Sequence, residues 1–412
     1  MDYQECRVAL KARVGEPAPG RIQLVAGPRQ VGKTTLLLEL ARELTPRVVY
    51  AACDGPEAAV PGFWQRVWAE AEALATSHGH GVLLLDEVHL MGNWAARLKG
   101  EWDRVRRRRI PLNVVATGSS ALRLAAGSRE SLAGRFERLA LTHWSASSLA
   151  AAFALDPAEA VEALVRLGSY PGAFPLRGDP NRWAAYVRDA IIEPAIGRDL
   201  LALGPVRRPA LLRQVFGVCV ASPAQIVSLQ KLQGQLEERG ALETIAYYLR
   251  LLEEAYLVAP LPKYARRAAR QRAAPPKLIT LNQALLAATH PAGAPERGRE
   301  PARFGAWVEN ACLSHAWNAG QHVTYWREEP YDVDGVVDGP WGRWAIEVTT
   351  GAVTLPAIRG LLEFTQRFRD FRSVVICEPG EVAAAGRLGL HAMPWQEFLL
   401  RGPVRESSRL SI

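Results

Sequence analysis

Lysine is scarce in this chain of 412 residues. Only Lys11, Lys33, Lys99, Lys231, Lys263 and Lys277 carry an ammonium, while the other 44 of the 50 basic residues are arginine. Long apolar runs are also missing: none approaches the roughly 20 residues that a membrane-crossing helix needs, so no membrane partner is expected. The five cysteines (Cys6, Cys53, Cys219, Cys312, Cys377) are scattered and never spaced Cys-x-x-Cys, which argues against a disulfide framework and a structural zinc site. The segment Met1-Asp2-Tyr3-Gln4-Glu5-Cys6 lacks the basic-then-apolar layout of a signal peptide. A cytoplasmic protein is expected. Its net charge of +8 and pI near 9.4 favour a polyanionic partner, nucleic acid first and a membrane surface second, although a general bias toward arginine accounts for the same charge.

One of the few lysines closes the run Gly27-Pro28-Arg29-Gln30-Val31-Gly32-Lys33-Thr34-Thr35. This is G-x-x-x-x-G-K-[ST], a phosphate-binding loop. Arg21–Ala26 reads as a buried strand entering it and Thr34–Ala41 as a helix leaving it, so backbone amides and a helix N-terminus are available to an anion. A compact ammonium follows β- and γ-phosphates in a way that a planar guanidinium does not. ATP is the expected nucleotide, with Thr34 a ligand for Mg²⁺.

Two further strands complete this reading. Gly81–Asp86 is an apolar run ending in Asp86-Glu87, the Walker B arrangement. Asp86 is expected to hold Mg²⁺ and Glu87 to orient the attacking water. Leu112–Ala116 ends in Thr117-Gly118-Ser119-Ser120, where a hydroxyl, Ser119 by preference, could sense the γ-phosphate. Arg135 follows shortly after and reads either as a finger reaching a neighbouring subunit's nucleotide or as a surface arginine.

The combination resembles the AAA-type ATPases of bacteria and archaea that carry a C-terminal domain of formerly unknown function. Their G-P-R-x-x-G-K-T, L-D-E, T-G-S-S and L-x-G-R signatures recur in order at Gly27, Leu85, Thr117 and Leu132. Gly168-Ser169-Tyr170-Pro171, Pro276-Lys277-Leu278, Trp307-Val308-Glu309-Asn310 and Tyr325-Trp326-Arg327 also fit, so the resemblance covers nearly the whole chain.

At 412 residues two to four domains are expected. Residues from about 146 to 203 carry helical periodicity, as a helical lid would. Pro209–Val220, Gln225–Gln233 and Glu243–Leu252 read as three helices leading into a hairpin, the winged-helix pattern. Lys263, Arg266, Arg267, Arg270, Arg272 and Lys277 then follow without an acid among them, as DNA phosphate contacts or as a basic linker. Further on come Glu309 on a helix, Asp334 on a strand and Glu347 on the next strand, the layout of restriction-endonuclease-like PD-(D/E)XK nucleases. The lysine of that pattern is replaced by Thr349. Threonine supplies no cation, so a catalytically impaired domain is expected.

The fold class expected is therefore α/β: a P-loop AAA+ core (1–145), a helical lid (146–205), a winged helix (206–265) and a nuclease-like domain (266–412). The function expected is Mg²⁺-dependent ATP hydrolysis by a homo-oligomer, a ring-shaped hexamer, that binds and remodels or translocates duplex or branched DNA. The rivals are a nucleotide-dependent switch acting on a protein partner and an ATP-regulated nuclease.

Overall fold

Short apolar runs become the strands of a parallel sheet in the first part of the chain. The computed structural model describes residues 1–118, 132–201, 206–238, 240–266 and 274–403. Their contacts divide them into two units, Met1–Thr142 and the residues from His143 onward. The segments expected as lid, winged helix and nuclease-like domain all fall in the second unit.

In the first unit, strands β1 (Ile22–Ala26), β2 (Val48–Ala52), β3 (Gly81–Asp86), β4 (Leu112–Gly118) and β5 (Phe136–Ala140) pair in the order β2-β3-β4-β1-β5, all parallel. Strands β1, β3 and β4 are buried along their whole length, which is why they read as mainly apolar runs rather than alternating ones, with Gln23, Asn113 and Thr117 as buried polar exceptions. Among the described residues, helices α1 (Tyr3–Val14), α2 (Lys33–Leu44), α3 (Phe63–His78) and α4 (Trp94–Arg108) accompany them. On α3 the buried residues Phe63, Trp64, Val67, Trp68, Ala71 and Ala75 recur at helical spacing and form one stripe toward the core. Asp2 and Glu5 begin α1 with a reciprocal capping box. This unit is an α/β domain built on a parallel sheet, with β4 between β1 and β3. That order brings the C-terminal ends of β1, β3 and β4 to one edge, where such sheets bind ligands.

The second unit opens with helices α5 (Ala146–Phe153), α6 (Pro157–Leu167) and α7 (Pro180–Tyr186), then π-helical stretches at Val187–Ile192 and Ala195–Leu200. Next come α8 (Pro209–Ala221), β6 (Gln225–Ile226), α9 (Leu229–Gly234), α10 (Leu242–Glu254), β7 (Val258–Leu261) and β8 (Lys277–Thr280). Strand β8 pairs antiparallel with both β6 and β7. Gln225 and Ile226, expected to begin a helix, are instead this short strand. The helix starts only at Leu229, because the Ser228 side chain accepts the Lys231 N–H and caps it. The boundary expected at 265 falls between the two strands of the β7–β8 hairpin.

Helices α11 (Gln283–Thr289) and α12 (Pro301–Asn318) lead to a second five-stranded sheet. Its strands are β9 (His322–Glu328), β10 (Tyr331–Gly339), β11 (Gly342–Val348), β12 (Arg372–Cys377) and β13 (Ala392–Pro394), ordered β13-β12-β11-β10-β9. Strands β9, β10 and β11 are antiparallel neighbours, whereas β12 and β13 join in parallel after the crossover helix α13 (Leu355–Arg367). Trp326, Val333, Val336, Ala345, Ile358, Leu361, Phe364 and Val375 fill the core between this sheet and α13. Among the described residues no helix is long and apolar enough to cross a membrane.

Candidate functional site

The loop between β1 and α2 is shaped by where its glycines lie. A Cβ on Gly27 would stand 2.0 Å from the Leu141 carbonyl oxygen, so only glycine lets the chain pass there. Gly32 (φ +94°) and Gln30 (φ +62°) are left-handed and fold the segment back to start α2 at Lys33. Such a turn presents amides inward as an anion cradle. Gly27, Pro28 and Val31 are buried, Arg29 is half-buried, and Thr34 and Thr35 are exposed in the first turn of α2. Lys33 is only 5% exposed. Its Nζ donates to the carbonyls of Pro28 (2.8 Å) and Gly27 (3.2 Å). These acceptors are neutral, and a charged phosphate oxygen binds an ammonium more strongly than they do.

Across the sheet edge, Asp86 ends β3 and is almost fully buried. The Tyr50 hydroxyl donates to its Oδ2 (3.1 Å), and the Thr117 hydroxyl donates to its Oδ1. Thr117 Oγ1 also accepts the Glu87 N–H at 3.0 Å, so one hydroxyl fixes both Walker B acids. Burial, and next the Asp86 charge, push the Tyr50 phenol well above its ordinary range. Glu87 has φ +50°, a left-handed conformation that a non-glycine residue holds only where its surroundings enforce it. Its Oε2 lies 3.2 Å from His89 Nδ1.

Sequence reasoning preferred Ser119 for the sensing hydroxyl. Ser119 lies outside the described residues; among those described, Thr117, two positions earlier, is the β4 hydroxyl that touches Asp86 and the Glu87 backbone. Its register was the available signal: β4 lies between β1 and β3, with Thr117 opposite Val25. Tyr50 and His89 carried no motif and were missed.

Arg135 stands immediately before β5, at the sheet edge opposite Gly27, because Ile22 pairs with Phe136 and Ala26 with Ala140. Its Nε reaches Asp103 Oδ1 at 2.9 Å, and its guanidinium lies 5.8 Å from the Trp102 ring centre. The same contact holds the Asp103 carboxyl below its usual range. The five-residue length of β1 separates Arg135 from its own phosphate loop.

The three acids of the C-terminal pattern do converge. Glu309 on α12, Asp334 on β10 and Glu347 on β11 surround Lys277, which comes from β8. Lys277 Nζ pairs with Glu309 Oε1, with Asp334 Oδ1 at 3.0 Å and with the Asp334 carbonyl at 3.1 Å. Asp334 Oδ2 accepts the Val348 N–H at 3.0 Å. Glu347 Oε2 is buried with no hydrogen-bond partner among the described residues. Burial, then the Asp334 charge, push Glu309 up to about 8 and Glu347 well above the ordinary carboxylate range. Thr349 lies just past β11, where its hydroxyl accepts the Gly351 N–H at 3.3 Å. No cluster of three or more acidic, histidine or cysteine side chains suited to a metal ion occurs among the described residues.

Lys277 was grouped by sequence with the phosphate-contacting residues; at 4% exposure and enclosed by acids, it is not available to a phosphate backbone. Lys263 is half-buried, and its backbone bridges to Tyr325. Arg266 is exposed, 5.2 Å over the Phe368 ring. Arg267, Arg270 and Arg272 lie outside the described residues.

Residues 19–149 match the family model of an AAA domain. Residues 158–296 match a domain of unknown function (DUF8612), which bears on neither the winged-helix nor the nuclease-like expectation. No curated protein matches the chain. Solved structures similar to it include a Walker-type ATPase of Pyrococcus abyssi (14% identity, 70% of this chain and 95% of that one, TM-score 0.46). Others are a RuvB variant of Thermotoga maritima (21%, 63% and 88%, TM-score 0.33) and AMPPCP-bound DnaA from Aquifex aeolicus (15%, 61% and 87%, TM-score 0.32). All three TM-scores are below 0.5, and no property of those proteins transfers to this chain. The parallel sheet and loop of the first unit match a P-loop ATPase core, and residues 19–149 are similar to an AAA domain.

Proposed function

We propose that the protein is an oligomeric, Mg²⁺-dependent ATPase whose nucleotide cycle acts on DNA. The observation that carries this reading is the sheet order, which puts β4 between β1 and β3, so that the loop from β1 to Lys33 and the Asp86–Glu87–Thr117 network follow neighbouring parallel strand ends. Lys33 exchanges its two carbonyl contacts for phosphate oxygens, and the loop from Gly27 to Thr35 holds the remaining phosphate charge. The Thr34 hydroxyl and the Asp86 carboxylate are oxygen donors of the kind Mg²⁺ takes, and the ion, when bound, neutralises phosphate charge. Glu87 orients and polarises the attacking water, while Thr117 keeps Asp86 and the Glu87 backbone in place. Catalysis of this class is chiefly positioning and charge stabilisation.

Arg135 serves a neighbouring copy, since it stands at the edge away from its own loop; it must first leave Asp103. This calls for an oligomer, with a hexameric ring as its form. Residues 146–205 act as the lid. The order α8-β6-α9-α10-β7-β8, with β8 between β6 and β7, supports a winged helix, and Arg266 with its neighbours Arg267, Arg270 and Arg272 supplies a basic flank for DNA phosphates. The helix, three antiparallel strands, crossover helix and parallel strand from 301 to 377 support a nuclease-like domain kept for binding or assembly.

The test is ATP turnover without nucleic acid and with single-stranded, duplex, forked and four-way-junction DNA. Stimulation by one form identifies the substrate. Slow turnover indifferent to DNA would replace this reading with a switch that acts on a protein partner.

A further inference from the structure

We infer that Lys277 is the resident cation of the Glu309–Asp334–Glu347 cluster, a fixed ammonium in the place where a divalent metal would otherwise be held. The inference stands on the geometry of the second unit alone and does not depend on nucleotide hydrolysis. An ammonium has three protons to donate. Lys277 donates to an Asp334 side-chain oxygen and to the Asp334 carbonyl and is ion-paired with Glu309 Oε1. Its charge is therefore engaged inside the cluster rather than offered to a water or a scissile phosphate.

Burying several carboxylates together without a cation is costly. A nuclease of this layout meets that cost with a metal ion and keeps its lysine on the strand of the second acid. Here that strand position is Thr349, whose hydroxyl is engaged with Gly351, and the lysine comes instead from β8. It bonds both Asp334 and Glu309, which removes an Asp334 oxygen from any metal, while the other Asp334 oxygen is taken by the Val348 amide. Glu309 Oε1 has the Lys277 ion pair but no hydrogen bond, and Glu347 Oε2 is a buried oxygen with no hydrogen-bond partner among the described residues. It is the oxygen to which a divalent ion would return if the lysine were removed. The same contacts fasten β8, and through it the β7–β8 hairpin, to α12 and β10.

The experiment is a Mn²⁺ titration of nucleotide-free full-length protein, with free Mn²⁺ read by electron paramagnetic resonance. The wild type is expected to show no site that is lost in Asp334→Asn. Lys277→Met is expected to gain one Mn²⁺ site per chain, which Glu347→Gln in the same chain removes. Its melting temperature is expected to fall and to recover in part when Mn²⁺ is added. Should Lys277→Met not fold, Lys277→Gln, which keeps two donors, takes its place. Mn²⁺ binding by the wild type that depends on Asp334 overturns the inference, and this measurement needs no lysine variant. A Lys277 variant that folds but never gains a site overturns it equally, because the lysine would then not be what keeps metal out.

Discussion

The two units each bury a lysine, one that donates to backbone carbonyls and one that pairs with carboxylates. Lys33 donates to two backbone carbonyls, which are neutral acceptors. Lys277 rests on carboxylates, charged acceptors that no phosphate can displace without leaving acids buried and unpaired. Both lysines are about equally hidden from solvent. Burial alone therefore does not set the two lysines apart; the carboxylates paired with Lys277 do.

This contrast can be broken at either lysine. The largest expected effect is on turnover: Lys33→Ala should lower kcat/KM for ATP by about 10³-fold, the scale of losing a principal charge stabiliser. Its unfolding free energy should fall by about 1–3 kcal/mol, about 0.5–1.5 kcal/mol for each carbonyl hydrogen bond lost. Lys277→Met should do the reverse. Removing one partner of a buried ion cluster costs about 3–5 kcal/mol, readable by denaturant unfolding of the second unit, with ATP binding retained. If both substitutions cost similar stability, the contrast fails.

Thr117→Val sharpens the account of the nucleotide site. It keeps the side-chain shape and removes the hydroxyl that bonds Asp86 and Glu87. A hydrogen bond to a charged group is worth about 1.5–3 kcal/mol, so kcat should fall about 10- to 100-fold with KM little changed. A rise in KM at constant kcat would assign Thr117 to nucleotide binding instead.

The smallest effect expected is an acid sensitivity confined to the second unit. Burial lowers His143 from 6.5 to about 4. Its Nε2 contacts the Tyr256 carbonyl at 2.8 Å, and its Nδ1 faces the Asn282 amide at 3.0 Å, which suits the neutral ring. Because the folded pKa lies below the unfolded one, the stability is present above pH 6.5 and is lost as pH falls toward 4. His143→Gln should flatten melting temperature against pH in that window; an unchanged slope would move the cause to another group.

What was legible in the sequence followed from how locally each feature is encoded. Lys33 and its loop are contiguous, and Asp86 and Glu87 end one apolar run, so strand-loop-helix logic reached them directly. Glu309, Asp334 and Glu347 were reached because each sits on an element with its own periodicity. Thr117 was half legible: the strand end was identified, but which hydroxyl turns inward depends on register with β1 and β3. Lys277 was misplaced because its role is tertiary. It lies 57 positions before Asp334 in a basic stretch, and the position where a motif would put the lysine holds Thr349. Gln225–Ile226 was misread for a related reason, since a two-residue strand exists only through its pairing with β8.

The central claim, that the Lys33–Asp86–Glu87 site hydrolyses ATP, is tested most directly by phosphate release from the purified protein beside Glu87→Gln. The account predicts Mg²⁺-dependent release by the wild type, and a Glu87→Gln variant that still binds ATP but releases phosphate at least about 100-fold more slowly. Equal release by the two proteins would contradict it.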